Sequence, residues 1–150
     1  MNRQELMSIL PHRPPMLLVD EAHIDVRRDA SGEYDVAVGS YTVRGDEFFL
    51  QGHFPGQPVV PGVILCEMMG QTSCVLMADG IAGKTTLFAG LDKVRFRRTV
   101  VPGDTVVFTS RQTAAKGAFH FIEGIGTVGD VVCVTAELSF ALVDPSQVRG

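Results

Sequence analysis

The stretch His53-Phe54-Pro55-Gly56-Gln57-Pro58-Val59-Val60-Pro61-Gly62-Val63-Ile64-Leu65-Cys66-Glu67-Met68-Met69-Gly70-Gln71 decides how this chain folds. It joins an imidazole to a loop stiffened by Pro55, Pro58 and Pro61, and the loop runs into an apolar segment. Pro61 suits a first helical position, and the apolar run continues to about Asp79, where Gly80 supplies a stop. At about 1.5 Å per residue the helix would be roughly 28 Å long. Val63, Ile64, Leu65, Cys66, Met68, Met69, Val75, Leu76 and Met77 cover nearly its whole circumference, so it must be enclosed on most sides.

The flanking sequence is mostly β material. On the amino-terminal side, a short amphipathic turn over Arg3 to Ile9 stops by Pro11. Met16 to Val26 reads as a strand, and Tyr34 to Val43 as a second, with Tyr34, Val36 and Val38 at period two. Gly45 to Gln57 is irregular and rich in phenylalanine. On the carboxyl side, Thr85 to Arg98, Thr105 to Thr113, Ala118 to Val128 and Val131 to Val143 read as strands. Pro102-Gly103-Asp104, Lys116-Gly117 and a tight Gly129-Asp130 hairpin separate them. A curved antiparallel sheet wrapped around one long central helix satisfies both the order of elements and the helix's all-round apolarity. The predicted class is α+β, with residues 1–150 forming one domain.

Composition excludes several function classes. The net charge of −4 gives the chain as a whole no reason to seek nucleic acid or an anionic membrane. Cys66, Cys74 and Cys133 form no CxxC pair and are expected to be free, buried thiols in a reducing cytoplasm. No basic segment followed by an apolar run opens the chain, so no secretory signal is expected. The longest apolar stretch, Val59 to Ala78, has Glu67 and Gln71 in its middle, which fits a buried helix and not a membrane span.

Two glycine motifs match on paper and fail in context. Ala78 to Thr85 resembles a relaxed phosphate loop, but here a helix precedes and a strand follows, the reverse of what phosphate binding at a helix start needs. Gly124, Gly126 and Gly129 fit G-x-G-x-x-G, yet the residues that follow, Asp130 to Thr135, are β-branched and poor helix material. No pair among His12, His23, His53 and His120 has metal-ligand spacing, and no G-x-S-x-G elbow occurs. Neither a metal nor any other cofactor is expected.

What remains is a base, an acid and a backbone donor. His53 sits in a rigid loop, where a neighbouring carbonyl such as that of Val59 can take a hydrogen from one ring nitrogen and leave the other to act as base. Glu67 and Gln71 are four residues apart on an otherwise apolar helix; burial there would raise the carboxyl pKa and keep Glu67 protonated as an acid. Gly62, at the helix start, offers an unpaired N–H to a carbonyl oxygen that becomes negative. Together they fit removal of a proton next to a carbonyl, coupled to loss of a β-hydroxyl.

The string Gly52-His53-Phe54-Pro55-Gly56-x-Pro58-Val59-x-Pro61-Gly62-Val63, with Glu67 and Gln71, resembles the signature of FabZ-type (3R)-hydroxyacyl-acyl-carrier-protein dehydratases. Leu10-Pro11-His12-Arg13 and Met16-Leu17-Leu18-Val19-Asp20 resemble that family's opening. Phe88 to Arg98 and Val101-Pro102-Gly103-Asp104 resemble its later strands. The family often shows Asn-Glu-Pro before its Phe-Phe pair; here Gly45-Asp46-Glu47 precedes Phe48-Phe49.

The resemblance implies a hotdog fold and a homodimer often assembled further into a hexamer. It implies dehydration of (3R)-hydroxyacyl-acyl-carrier-protein to the trans-2-enoyl thioester in cytoplasmic fatty acid biosynthesis. His53 would remove the C2 proton, with the Val59 carbonyl orienting it. Glu67, from the partner subunit, would help the C3 hydroxyl leave, and Gly62 would polarise the thioester carbonyl. Val59, Gln71 and Phe88 are the substrate-side candidates; Phe88 lines the acyl tunnel or packs in the core. Glutamate at position 67, where the bifunctional isomerase group usually has aspartate, favours dehydration alone. Lys93, Arg95 and Arg97 alternate on one strand face and Arg98 extends them, a cationic stripe for the acidic carrier protein, although alternating charge also suits any solvated strand face. The same chemistry in a polyketide or aryl-polyene pathway, a non-catalytic acyl-binding module and a thioesterase are the alternatives.

Overall fold

The computed structural model describes residues 1–149. Its strands are β1 (Glu21–Asp29), β2 (Gly32–Thr42), β3 (Thr85–Phe96), β4 (Thr105–Lys116), β5 (Phe119–Val128) and β6 (Val131–Val143). They form one antiparallel sheet in the order β1-β2-β4-β5-β6-β3. The helices are α1 (Arg3–Leu6), α2 (Gly62–Ser73) and α3 (Ala78–Ile81). The sheet curves around α2, which packs on β2, β4, β5 and β6. Alternation produces the inner wall: Val106, Phe108 and Ser110 of β4 and Val134, Ala136, Leu138 and Phe140 of β6 point inward. From α2, Leu65, Cys66, Met68 and Met69 fill the space they enclose. The α+β arrangement read from the sequence is the one observed.

The central helix is shorter than expected. The α-helical part spans 12 residues, about 18 Å, and then tightens into a 3-10 turn at Cys74–Met77 before α3. Ser73 explains the change: its hydroxyl bonds back to the Met69 carbonyl at 2.7 Å and contacts the Ser110 hydroxyl of β4 at 2.8 Å. Such back-bonding competes with the regular ladder and bends helices. Nor does Gly80 end the segment. The fully buried Ile81 carries it one residue further, and Gly83, at φ +73°, makes the turn.

The first strand begins later than expected, at Glu21 rather than Met16. Leu17, Leu18 and Val19 are buried, but their segment meets α2 instead of a strand. The Leu18 N–H donates to Oε1 of Gln71 and the Met16 carbonyl accepts from Nε2 of Gln71, each at 2.8 Å. An amide side chain thus replaces two ladder bonds, because buried backbone groups need partners wherever they can be found.

Strand β3 lies at the sheet edge beside β6, with register irregularities between Phe88 and Gly90 and between Asp92 and Arg95. It carries Leu87, Phe88, Leu91 and Phe96, all exposed. No helix among the described residues is long and apolar enough to cross a membrane.

Candidate active site

The loop before α2 closes on itself through His53. The His53 N–H donates to the Leu50 carbonyl at 3.0 Å, and the Val59 N–H donates to the His53 carbonyl at 2.8 Å. Nδ1 of the ring lies 2.8 Å from the Val59 carbonyl oxygen. A carbonyl only accepts, so Nδ1 carries the hydrogen and the lone pair of the neutral ring is on Nε2. The Phe54 ring stacks on the imidazole at 4.2 Å between centroids. Position and tautomer are therefore set before any substrate arrives.

Gly62 opens α2 in the same hollow. Among the described residues its N–H has no hydrogen-bond partner, the ordinary condition of a first-turn amide. A Cβ at Gly62 would lie 2.6 Å from Cζ of Phe96, so only glycine lets the β3 aromatic lie against the helix start. His53, Val59, Gly62, Phe96, Arg97 and Arg98 line a cavity of about 600 Å³.

Glu67 is elsewhere. Five residues beyond Gly62, it points roughly 140° around the helix from it. It shares a smaller hollow, about 60 Å³, with His12, Gln71, Phe88 and Phe140. The Phe88 ring rests on Gly70, where a Cβ would stand 2.9 Å from Cζ. Oε1 of Glu67 accepts from Nε2 of Gln71 at 2.8 Å and lies 3.1 Å from Nε2 of His12. Burial pushes the Glu67 carboxyl up, but hydrogen bonds from His12 and Gln71 and the attraction of the imidazole outweigh it. The net shift is downward, which corrects the expectation of a protonated Glu67: in the single chain it is a carboxylate. Beside it, burial first and then the Glu67 charge push the Cys74 thiol up to about 12.

The basic residues do not form one stripe. Lys93 adopts φ +49°, and the register slips between Asp92 and Arg95. That irregularity breaks the period-two alternation expected of Lys93, Arg95 and Arg97. Lys93 turns to Glu137, with Nζ 3.4 Å from Oε1. Arg95 bonds the Val94 carbonyl, while Arg97 and Arg98 border the His53 cavity. All four are exposed.

A FabA-like domain matches residues 10–137. The chain is 38% identical to the 3-hydroxyacyl-acyl-carrier-protein dehydratase FabZ of Alkaliphilus metalliredigens, across 97% of this chain and 97% of that one. It is 40% identical to the FabZ dehydratase of Chloroflexus aggregans, across 96% and 97%. The chain belongs to the FabZ dehydratase family. Among solved structures, the dehydratase heterocomplex ApeI:P from Xenorhabdus doucetiae superposes with a TM-score of 0.76 at 20% identity, covering 95% of this chain and 93% of that one. The fluoroacetyl-CoA thioesterase FlK superposes at 0.65 and 14% identity, covering 76% and 89%. At these identities the likeness is one of fold, the hotdog fold.

Within this FabZ-family chain two participants escaped the sequence reading. His12 meets Glu67 across 55 positions of sequence, and no spacing rule links them. The one available signal was its place in the Leu10-Pro11-His12-Arg13 block. Phe96, which no sequence pattern singled out, proves to be the cover over Gly62.

Proposed function

We propose that this chain dehydrates (3R)-hydroxyacyl-acyl-carrier-protein to the trans-2-enoyl thioester in cytoplasmic fatty acid biosynthesis, as a homodimer whose sites each draw on two copies. The observation that supports it is the division of the chemistry: His53 and Gly62 occupy one hollow, Glu67 another. Each hollow holds half of what the reaction needs. A second copy, joined along the free edge of β3 with its exposed apolar residues, would bring a Glu67 to each His53. Three such dimers would make a hexamer.

In that arrangement the thioester carbonyl accepts from the Gly62 N–H. Nε2 of His53 takes the C2 proton, and the electron pair left behind forms the C2–C3 double bond. The C3–O bond breaks, and the leaving oxygen takes a proton from Glu67. Enclosure by the second copy strengthens desolvation and moves the carboxyl toward the protonated form that this step uses. Val59 orients the base, Gln71 holds the acid, and Phe88 borders the acid's hollow. Arg97 and Arg98, at the mouth of the His53 cavity, suit the acidic carrier protein.

The test is to incubate the chain with (3R)-hydroxyacyl-acyl-carrier-protein of several chain lengths and analyse the products. The enoyl thioester is expected. Free carrier thiol would mark a thioesterase instead, and intact substrate a binding module.

A further inference from the structure

The Glu67 hollow holds a histidine that the reaction described so far leaves idle. His12 comes from the segment between α1 and β1, and its side chain is 19% exposed. Nε2 faces Oε1 of Glu67, while Nδ1 is buried with no hydrogen-bond partner among the described residues. A buried N–H without an acceptor bears the full desolvation penalty, and orphaned donors are rarer than under-satisfied acceptors. The ring hydrogen therefore belongs on Nε2, where Oε1 receives it. Gln71 donates to that same oxygen, and Gln71 is itself fixed by Met16 and Leu18. Neither donor reaches Oε2.

A carboxyl gripped in this way has two unlike oxygens. Oε1 is occupied by two N–H donors and has no room for a proton of its own. Oε2 is open. We propose that His12 is a positioning residue for the acid: with Gln71 it pins Oε1 of Glu67, so that Oε2 is the oxygen that hands its proton to the departing hydroxyl. This rests on the dehydratase reading above. The Oε2–H bond breaks and its proton joins the C3 oxygen, which leaves as water with the C3–O electron pair. The carboxylate left behind keeps both donors. Among the described residues of the single chain no Lys, Arg, Asp or further Glu lines the hollow, which is closed by Thr86, Leu87 and Phe88 of β3, Phe140 of β6 and the neutral Cys74 thiol. The second copy's His53 is the titratable group that the dehydratase reading adds.

The test compares His12→Phe, which removes the donor, with His12→Gln, which keeps a neutral N–H at similar reach. His12→Phe is expected to lower kcat at least about ten-fold, the scale of a hydrogen bond to a charged group, with KM little changed. Losing the donor favours the protonated carboxyl, so the alkaline limb of the kcat–pH profile should move to higher pH. His12→Gln should recover most of the rate and the original limb. Nitrogen NMR of the labelled wild type should find the hydrogen of His12 on Nε2. A folded His12→Phe enzyme with unchanged kcat and pH limbs would overturn the proposal. So would a His12→Gln enzyme that melts normally yet is as impaired as His12→Phe, or a wild-type ring protonated on Nδ1 alone. A wild type inactive on every hydroxyacyl thioester would refute the dehydratase reading instead, and the NMR result would still judge the grip on Oε1.

Discussion

His53 and Val59 hold each other twice. The Val59 N–H donates to the His53 carbonyl and the His53 ring donates to the Val59 carbonyl, both at 2.8 Å. One bond closes the loop and the other sets the ring. The base is thereby oriented by main chain, which side-chain substitution cannot easily disturb, so loss of the imidazole should be a loss of chemistry and not of fold. His53→Ala is expected to lower crotonyl-thioester hydration by at least about two to three orders of magnitude, the usual scale for a catalytic base. Its melting temperature should stay near that of the wild type. A rate within a few-fold of wild type would remove His53 from the mechanism.

Gly62→Ala tests two roles at once, and a second substitution separates them. The new methyl would meet the Phe96 ring at 2.6 Å, and overpacking of this kind costs about 1–3 kcal/mol. Adding Phe96→Ala makes room for it. The double variant should regain stability; if the Gly62 N–H also regains its access to substrate, activity should return with it. Restored stability with activity still absent would locate the defect in the backbone donor and not in the crowding.

Glu67 ties stability to pH in a definite direction. Its carboxyl lies below the ordinary value of 4.5, because the hydrogen bonds and charge of its partners outweigh burial. A depressed carboxyl contributes stability that is fully present above that value and drains away as pH falls through the lower, folded one. Urea midpoints of the wild type and Glu67→Gln, measured dilute enough to keep the chain monomeric, should therefore differ by a constant amount at mildly acidic to neutral pH and converge at lower pH. A gap that widens as pH falls would mean the carboxyl is raised instead.

Charge reversal should affect the four basic residues unequally. Arg97→Glu with Arg98→Glu places negative charge at the mouth of the His53 cavity. It should weaken turnover of the carrier-protein substrate while sparing a small thioester analogue. Lys93→Glu should do less, since Lys93 is already turned toward Glu137 beyond an irregular register. An equal effect on both substrates would discredit carrier-protein docking at this edge.

The order of elements, the strands after the central helix and the loop around His53 were legible because each is a local pattern: β-rich runs between turn residues, an apolar helix, prolines. The parts that were not legible depend on contacts between distant residues. Ser73 leaves the helical ladder partly because Ser110, 37 residues later, awaits its hydroxyl. Met16 to Val19 looks like a strand, yet Gln71 takes its backbone groups. Glu67 is partly buried as the apolar helix suggested, but its charge was not legible, since His12, 55 positions away, and Gln71 together outweigh desolvation. The slip beside Lys93 has no compositional mark that we can identify.

The separation of His53 and Glu67 into two hollows carries a genetic corollary. If two copies complete each other, a preparation of His53→Ala and another of Glu67→Gln, each inert, should revive when dissociated and reassembled together. Random pairing makes half the dimers hybrids, each with one intact centre out of two, so about a quarter of native turnover should return. Two inactive alleles would then restore activity to one another inside a single cell.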